Sequence, residues 1–137
     1  QMYLDLTADE QGQADYDAWL GLARMSVTLR DMPRLRDSAN RLVAIDAGRT
    51  EGYVLRALHQ RRMGDLEAAR ASLGEALTIR VETDALVLLG LIERDMGHTD
   101  NARAAFAEAL KIDPGNPDAT ELLNTAGTVA DAGEQTQ

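Results

Sequence analysis

The sequence predicts an all-α protein built from stacked antiparallel helix pairs. Three observations predict it. First, the stretch from Asp84 to Pro114 holds an apolar run (Ala85 to Ile92), a break at Met96-Gly97-His98, an alanine-rich run (Asn101 to Ile112) and a stop at Asp113-Pro114. Leu86, Leu89, Gly90 and Ile92 fall at helical spacing. Thr99 is placed to cap the second helix, and Pro114-Gly115 to end it. Second, the unit recurs. Gly64, Ala69, Leu73 and Ala76 precede Gly97, Ala102, Phe106 and Ala109 by 33 residues, and Trp19, Leu35, Ala39, Leu42 and Ile45 precede Tyr53, Ala69, Leu73, Ala76 and Ile79 by 34. A period in this range marks a repeat array. Third, the composition suits helices packed through alanine and leucine, with 45% hydrophobic residues, 4% aromatics and no cysteine.

Taken in order, residues 1–15 do not fit the period. Met2, Tyr3, Leu4 and Leu6 read as the end of a preceding helix, while Thr7-Ala-Asp-Glu10 reads as a capping box that opens a short one. The first unit spans 16–49, and Asp31-Met32-Pro33 divides its helices, with Pro33 tolerated in a first helical turn. Leu35, Ala39, Leu42 and Val43 give its second helix a packing face. The second unit spans 50–82, with Thr50 as its cap and Gly64-Asp65 as its turn. The third spans 83–116. A capping helix is expected over 117–126, carrying Ala119, Leu122 and Leu123, because a terminal repeat needs a polar outer face. Residues 127–137 hold no basic residue and little to bury, and read as a disordered acidic tail.

The units resemble the tetratricopeptide repeat (TPR) family, whose pattern is W-x2-L-G-x2-Y, then A-x3-F, then P. The third supplies Leu86, Leu89, Gly90, Ala102, Phe106, Ala109 and Pro114; the second Tyr53, Ala57, Ala69, Leu73 and Ala76; the first Trp19, Leu22 and Ala23. Trp19, the one tryptophan, fills the large-residue slot and is expected in the core. The departures are Arg56 for a leucine, Leu35 for a small residue, Val81 for the proline, and Arg30 for the glycine of the first turn. The resemblance implies a right-handed superhelical array of three repeats, with the first helix of each repeat lining a concave groove.

The formal net charge of −9 argues against a duplex-binding surface, which needs a basic footprint. The missing cysteines remove disulfides, thiolate metal sites and cysteine nucleophiles. No apolar run is long enough to span a membrane, and no signal peptide is visible. Lys111 is the sole lysine among the basic residues, an arginine bias that points to a GC-rich, bacterial source. The chain opens Gln-Met and the repeats start late, as in a piece of a longer chain. His59 and His98 have no metal-ligand spacing, and no phosphate-binding glycine loop is present, so no catalytic residue, metal site or cofactor is expected.

The resemblance places Leu20, Val54, Leu55, Leu58, Val87, Leu88 and Leu91 along the groove. A helix whose other face is already apolar should be polar there if it met only water. Arg24, Arg61, Arg62 and Arg94 join them, with Arg61 and Arg94 at equivalent slots. An apolar stripe beside a basic row suits a partner protein or peptide segment that carries apolar anchors and carboxylates, since arginine binds carboxylates bidentately. The expected function is therefore a protein–protein interaction scaffold or adaptor. The alternative is a self-associating module, or a regulatory domain whose groove is filled intramolecularly. The groove slots that hold a chaperone's C-terminal carboxylate in some TPR domains carry Leu20, Arg24, Leu55, Asp84 and Leu88 here, so that clamp is not supported. The double substitution Leu58→Asp/Leu91→Asp is expected to abolish partner binding and keep helicity.

Overall fold

Seven helices follow one another with short connections, and no strand occurs among the described residues. The computed structural model of the protein describes residues 8–135, with side chains described from 8 to 126. The helices are α1 (Ala8–Leu29), α2 (Met32–Ile45), α3 (Glu51–Arg62), α4 (Leu66–Ile79), α5 (Thr83–Asp95), α6 (Thr99–Ile112) and α7 (Pro117–Gln135). Each packs chiefly on its neighbours in sequence. In addition α1 touches α3 and α3 touches α5, so these three helices form one continuous wall. This is the helix-pair array that the repeat period predicts.

The turns inside the pairs are built alike. At each, one backbone N–H bonds three residues back and the next bonds five residues back: Arg30 to Val27 and Asp31 to Ser26, Gly64 to Arg61 and Asp65 to Gln60, Gly97 to Arg94 and His98 to Glu93. That double bond is the Schellman motif, which needs a left-handed residue at its centre. Gly64 and Gly97 supply it at φ 81° and 84°. Arg30 supplies it at φ 56°, where a side chain is strained. The substitution noticed in the sequence is thus accommodated without a change of turn.

Asp31 caps α2 by accepting a bond from the Arg34 N–H at 3.2 Å. Thr99 does not cap α6; the cap position falls to His98, and Thr99 is the first helical residue. Thr50 stands at the α3 cap without bonding its helix, and its hydroxyl donates to Glu82 across the repeat instead.

Three apolar clusters form the core. One joins Tyr16, Leu20, Ala23, Leu35 and Leu42; a second joins Ala57, Ala69, Leu73, Ala85, Leu88 and Ile92; a third joins Leu86, Ala109 and Ala119 under α7. Phe106 is fully buried and lies against Gly90, where a Cβ would meet its ring at 2.3 Å. Two expectations need correction. Trp19 is half-buried, with Arg41 stacked over its ring at 5.3 Å, and the buried aromatic of the first pair is Tyr16, at 1% exposure. Tyr16 lies one turn earlier on the same helix, and its hydroxyl finds a carboxylate partner that an indole placed there would not reach. The second concerns the C-terminus. α7 runs on to Gln135, through most of the stretch read as a disordered tail. Residues 127–135 contain no proline, and a helix already nucleated by its packed first turns can extend through them although Gly127 and Gly133 each cost about 1 kcal/mol relative to alanine. The described part of the N-terminal extension, 8–15, is continuous with α1. Its first seven residues, including Thr7 of the expected capping box, lie outside the described residues.

Candidate partner-binding groove

The wall of α1, α3 and α5 carries the residues that the sequence assigns to the groove, and their environments differ. Leu20 (9% exposed) and Leu88 (8% exposed) belong to the core clusters. Val54, Leu55, Leu58, Val87 and Leu91 are half-buried. Val54 and Leu58 pack against the second cluster, Leu55 against the first, and Val87 against the third. The cause is geometric. Helices that lie side by side shield one another's flanks, so a side chain pointing along the wall is half-covered by the next repeat. The apolar stripe is therefore also a seam between repeats. Most of the large apolar side chains left open to water are elsewhere (Met25, Leu29, Met63, Val81 and Ile112), while Ile79 lines the groove cavity.

The arginines divide in the same way. The Arg61 guanidinium is held by Asp95 at 2.7 Å, a bond from α3 to α5 that ties neighbouring repeats. Arg24 and Arg94 are exposed and have no ion pair among the described residues. Arg62, also exposed, lies at the far end of α3, beside a second cavity with Arg30 and Met32.

At the opposite end of the wall, α1 and the N-termini of α3 and α5 enclose a cavity of about 520 Å³. Its apolar lining comes from Leu20, Val54, Leu55 and Ile79. Its charged lining comes from Arg24, Arg49, Arg80, Glu51, Glu82 and Asp84. Arg49 is fixed from three sides: it lies 3.8 Å from the Tyr16 ring centroid, donates to Glu51 Oε1 at 3.1 Å and donates to Gln13 Oε1 at 3.1 Å. The Tyr16 hydroxyl donates to the other Glu51 oxygen at 3.0 Å. Burial pushes the Tyr16 phenol up, and the Glu51 hydrogen bond and charge push it the same way. Burial pushes the Glu51 carboxyl up as well. The bonds it accepts from its own backbone N–H, Tyr16 and Arg49, with the Arg49 charge, outweigh that and leave it below the usual carboxylate range. With Glu51 neutralised by Arg49 and Glu82 bonded to Thr50, Arg24, Arg80 and Asp84 remain without ion pairs among the described residues. The cavity thus offers one rigid arginine, two arginines without ion pairs, and the carboxylates of Glu82 and Asp84 around an apolar floor. Arg49 and Arg80 were not among the residues picked from sequence, because they lie in the connections before α3 and α5 rather than on the helix face the repeat pattern follows.

A second polar cluster ties the array together. The Glu93 carboxylate, 4% exposed, meets Arg70 of α4 at 2.8 Å, His98 Nδ1 at 2.7 Å and Asn101 of α6 at 3.4 Å. Burial pushes this carboxyl up. The hydrogen bonds from His98 and Asn101 and the charges of Arg70 and His98 more than offset it and hold the group low. Nothing in the repeat pattern marks Glu93, because its partners lie on α4, on α6 and in the turn between α5 and α6.

Fold and site together define a solenoid of antiparallel helix pairs whose odd-numbered helices α1, α3 and α5 form one wall. The tetratricopeptide repeat model matches residues 54–117. Over those residues the chain carries the repeat pattern, and solved tetratricopeptide repeat domains share its fold. The first TPR domain of human RPAP3 superimposes with a TM-score of 0.81 at 15% identity, over 89% of this chain and 97% of that one. The first TPR of Spaghetti (RPAP3) bound to an HSP90 peptide gives 0.78 at 15% identity, over 85% and 93%. A crystal structure of MamA gives 0.74 at 21% identity, over 95% and 87%. At these identities the likeness is one of fold. No curated protein sequence matches the chain. Among the described residues, no helix is long and apolar enough to cross a membrane.

Proposed function

We propose that this chain is a non-catalytic protein-interaction module that holds a segment of a partner protein along the wall of α1, α3 and α5. The observation that carries this reading is the cavity at the N-terminal ends of α3 and α5. It joins an apolar floor (Leu20, Val54, Leu55) to arginines that lack ion pairs, Arg24 and Arg80. That pairing fits a segment with an apolar anchor beside a carboxylate, since a guanidinium without a partner gains most from a charged acceptor. Solved neighbours of the same fold support it, being described as bound to HSP90 and HSP70 peptides. Leu58, Val87, Leu88, Leu91 and Arg94 extend the same wall toward the C-terminal repeats, and Arg61, tied to Asp95, sets the spacing of α3 and α5 there.

The test is capture from an extract of the source cells, with the native chain and an Arg24→Glu/Arg80→Glu variant as baits. Both side chains are exposed, so the variant should keep its helical circular dichroism. A protein retained by the native chain and lost with the variant supports the reading. Equal retention by both baits rejects it. Leu58→Asp/Leu91→Asp is a poorer test, because Leu58 also packs on the core and its loss confuses binding with stability.

A further inference from the structure

The edge formed by the first two turns does not behave like the third. Arg30, Met32 and Arg62 line an open surface depression there. Neither Arg30 nor Arg62 has an ion pair among the described residues. Large apolar side chains flank the two arginines in the open: Leu29 at 66% exposure, beside Arg30, and Met63 at 62%, beside Arg62. Register shows that this is not a property of the repeat. Leu29 and Met63 correspond to Met96, which is half-buried against the core. Arg62 corresponds to Asp95, which is bonded to Arg61.

The backbone supplies an independent sign. Arg30 stands at φ 56° where its two counterparts are glycines. A glycine there would form the same turn without strain, so the arginine is held against the local preference of the chain. Residues kept in such conformations cluster at functional positions.

We propose that this edge docks a short acidic segment of another protein through an apolar anchor, with Arg30 and Arg62 receiving its carboxylates. Charge complementarity selects the occupant. Two guanidinium groups without partners suit carboxylates bound bidentately, and exposed Met63 and half-buried Met32 supply adaptable apolar contact. An extended anionic surface such as a bilayer would face the repulsion of the whole acidic chain. A short segment feels mainly the charges within about one screening length, roughly 8 Å at physiological salt. The site is separate from the groove cavity, whose lining shares no residue with it.

The test uses the full chain, labelled for amide NMR, titrated with a synthetic peptide in which Glu and Asp flank a Leu and a Phe. A control peptide carries Lys in place of the acids. The acidic peptide should shift the amides around Arg30 and Arg62, more strongly at low salt, and should do so equally in an Arg24→Glu/Arg80→Glu chain, where the groove cavity has lost its unpaired arginines. The control should leave those amides unmoved. Arg30→Gly is the informative variant, because it should raise the melting temperature while weakening the acidic peptide about tenfold, the loss expected for one charged contact. Unchanged affinity in Arg30→Gly overturns the proposal. So do shifts confined to the groove, shifts produced by anionic phospholipid vesicles and not by the peptide, and shifts that grow with protein concentration alone.

Discussion

Alanine in place of Gly90 should destabilise the protein, and the same exchange at Gly74 should stabilise it. The two glycines lie within helices α5 and α4, so the intrinsic helix preference for alanine, about 1 kcal/mol, favours both substitutions. What differs is the space. A Cβ at Gly74 meets nothing within 4 Å. A Cβ at Gly90 would stand 2.3, 2.6 and 2.8 Å from three atoms of the Phe106 ring. Ordinary contact begins near 3.4 Å. Phe106 is fully buried, so the ring has no open space to enter and α5 must part from α6 by about 1 Å. Overpacking of this kind costs about 3 kcal/mol at the upper end of its usual range. Set against the propensity gain, the net loss for Gly90→Ala is about 2 kcal/mol. At roughly 4 °C per kcal/mol for a chain of this size, the midpoint should fall by about 8 °C for Gly90→Ala and rise by about 4 °C for Gly74→Ala. Thermal unfolding followed by circular dichroism reads both. A stabilised Gly90→Ala variant would refute the packing of Phe106 on α5, and with it the register of the third helix pair.

Three further outcomes follow from single groups. Arg30→Gly should stabilise the fold by about 1 kcal/mol, because the left-handed turn is kept and the side-chain strain removed; a denaturant midpoint that falls contradicts this. Ser38→Ala should also raise the midpoint, by up to about 1 kcal/mol, since the Ser38 hydroxyl is fully buried without a hydrogen-bond partner; a loss of stability would mean that the hydroxyl is satisfied in solution. Acid should weaken the array through Glu51 and Glu93. Both carboxyls are held below their ordinary range, so their contribution is present above the unfolded value near 4.5 and is lost as pH falls through the lower folded values. Between pH 7 and pH 3 the fall in stability should be shallower for Glu93→Gln than for the native chain, and equal slopes would remove Glu93 from the account.

The helix pairs were legible in the sequence because a repeat writes the same packing demand several times. Ala69, Leu73 and Ala76 recur as Ala102, Phe106 and Ala109, and all six are fully buried. The turns were legible too, down to Arg30 at the glycine position. What the pattern could not carry is the competition for each surface. Leu20 and Leu88 look like groove residues by position, yet the side-by-side packing of α1, α3 and α5 draws them into the core. Arg61 looks like a free cation until α5 brings Asp95 to it across the repeat. Tyr16 outranks Trp19 because its hydroxyl meets Glu51, a contact 35 residues away that no local period encodes. Arg49 and Arg80 lie in connections, where a helical period has nothing to say. Helix α7 exceeds its expected length because composition reports what a segment can bury, whereas a helix already begun can continue where no proline stops it.

A partner held on the α1–α3–α5 wall should lie within crosslinking reach of Val54. The most direct measurement places a photo-crosslinking residue at Val54, beside the cavity, and in a second sample at Gly74, exposed on α4, and irradiates each in an extract of the source cells. An adduct with a different polypeptide is expected from Val54, none from Gly74, and loss of the Val54 adduct when Arg24 and Arg80 are both changed to Glu. Equal adducts from the two positions, or an adduct from Val54 with a second copy of this chain alone, would contradict it.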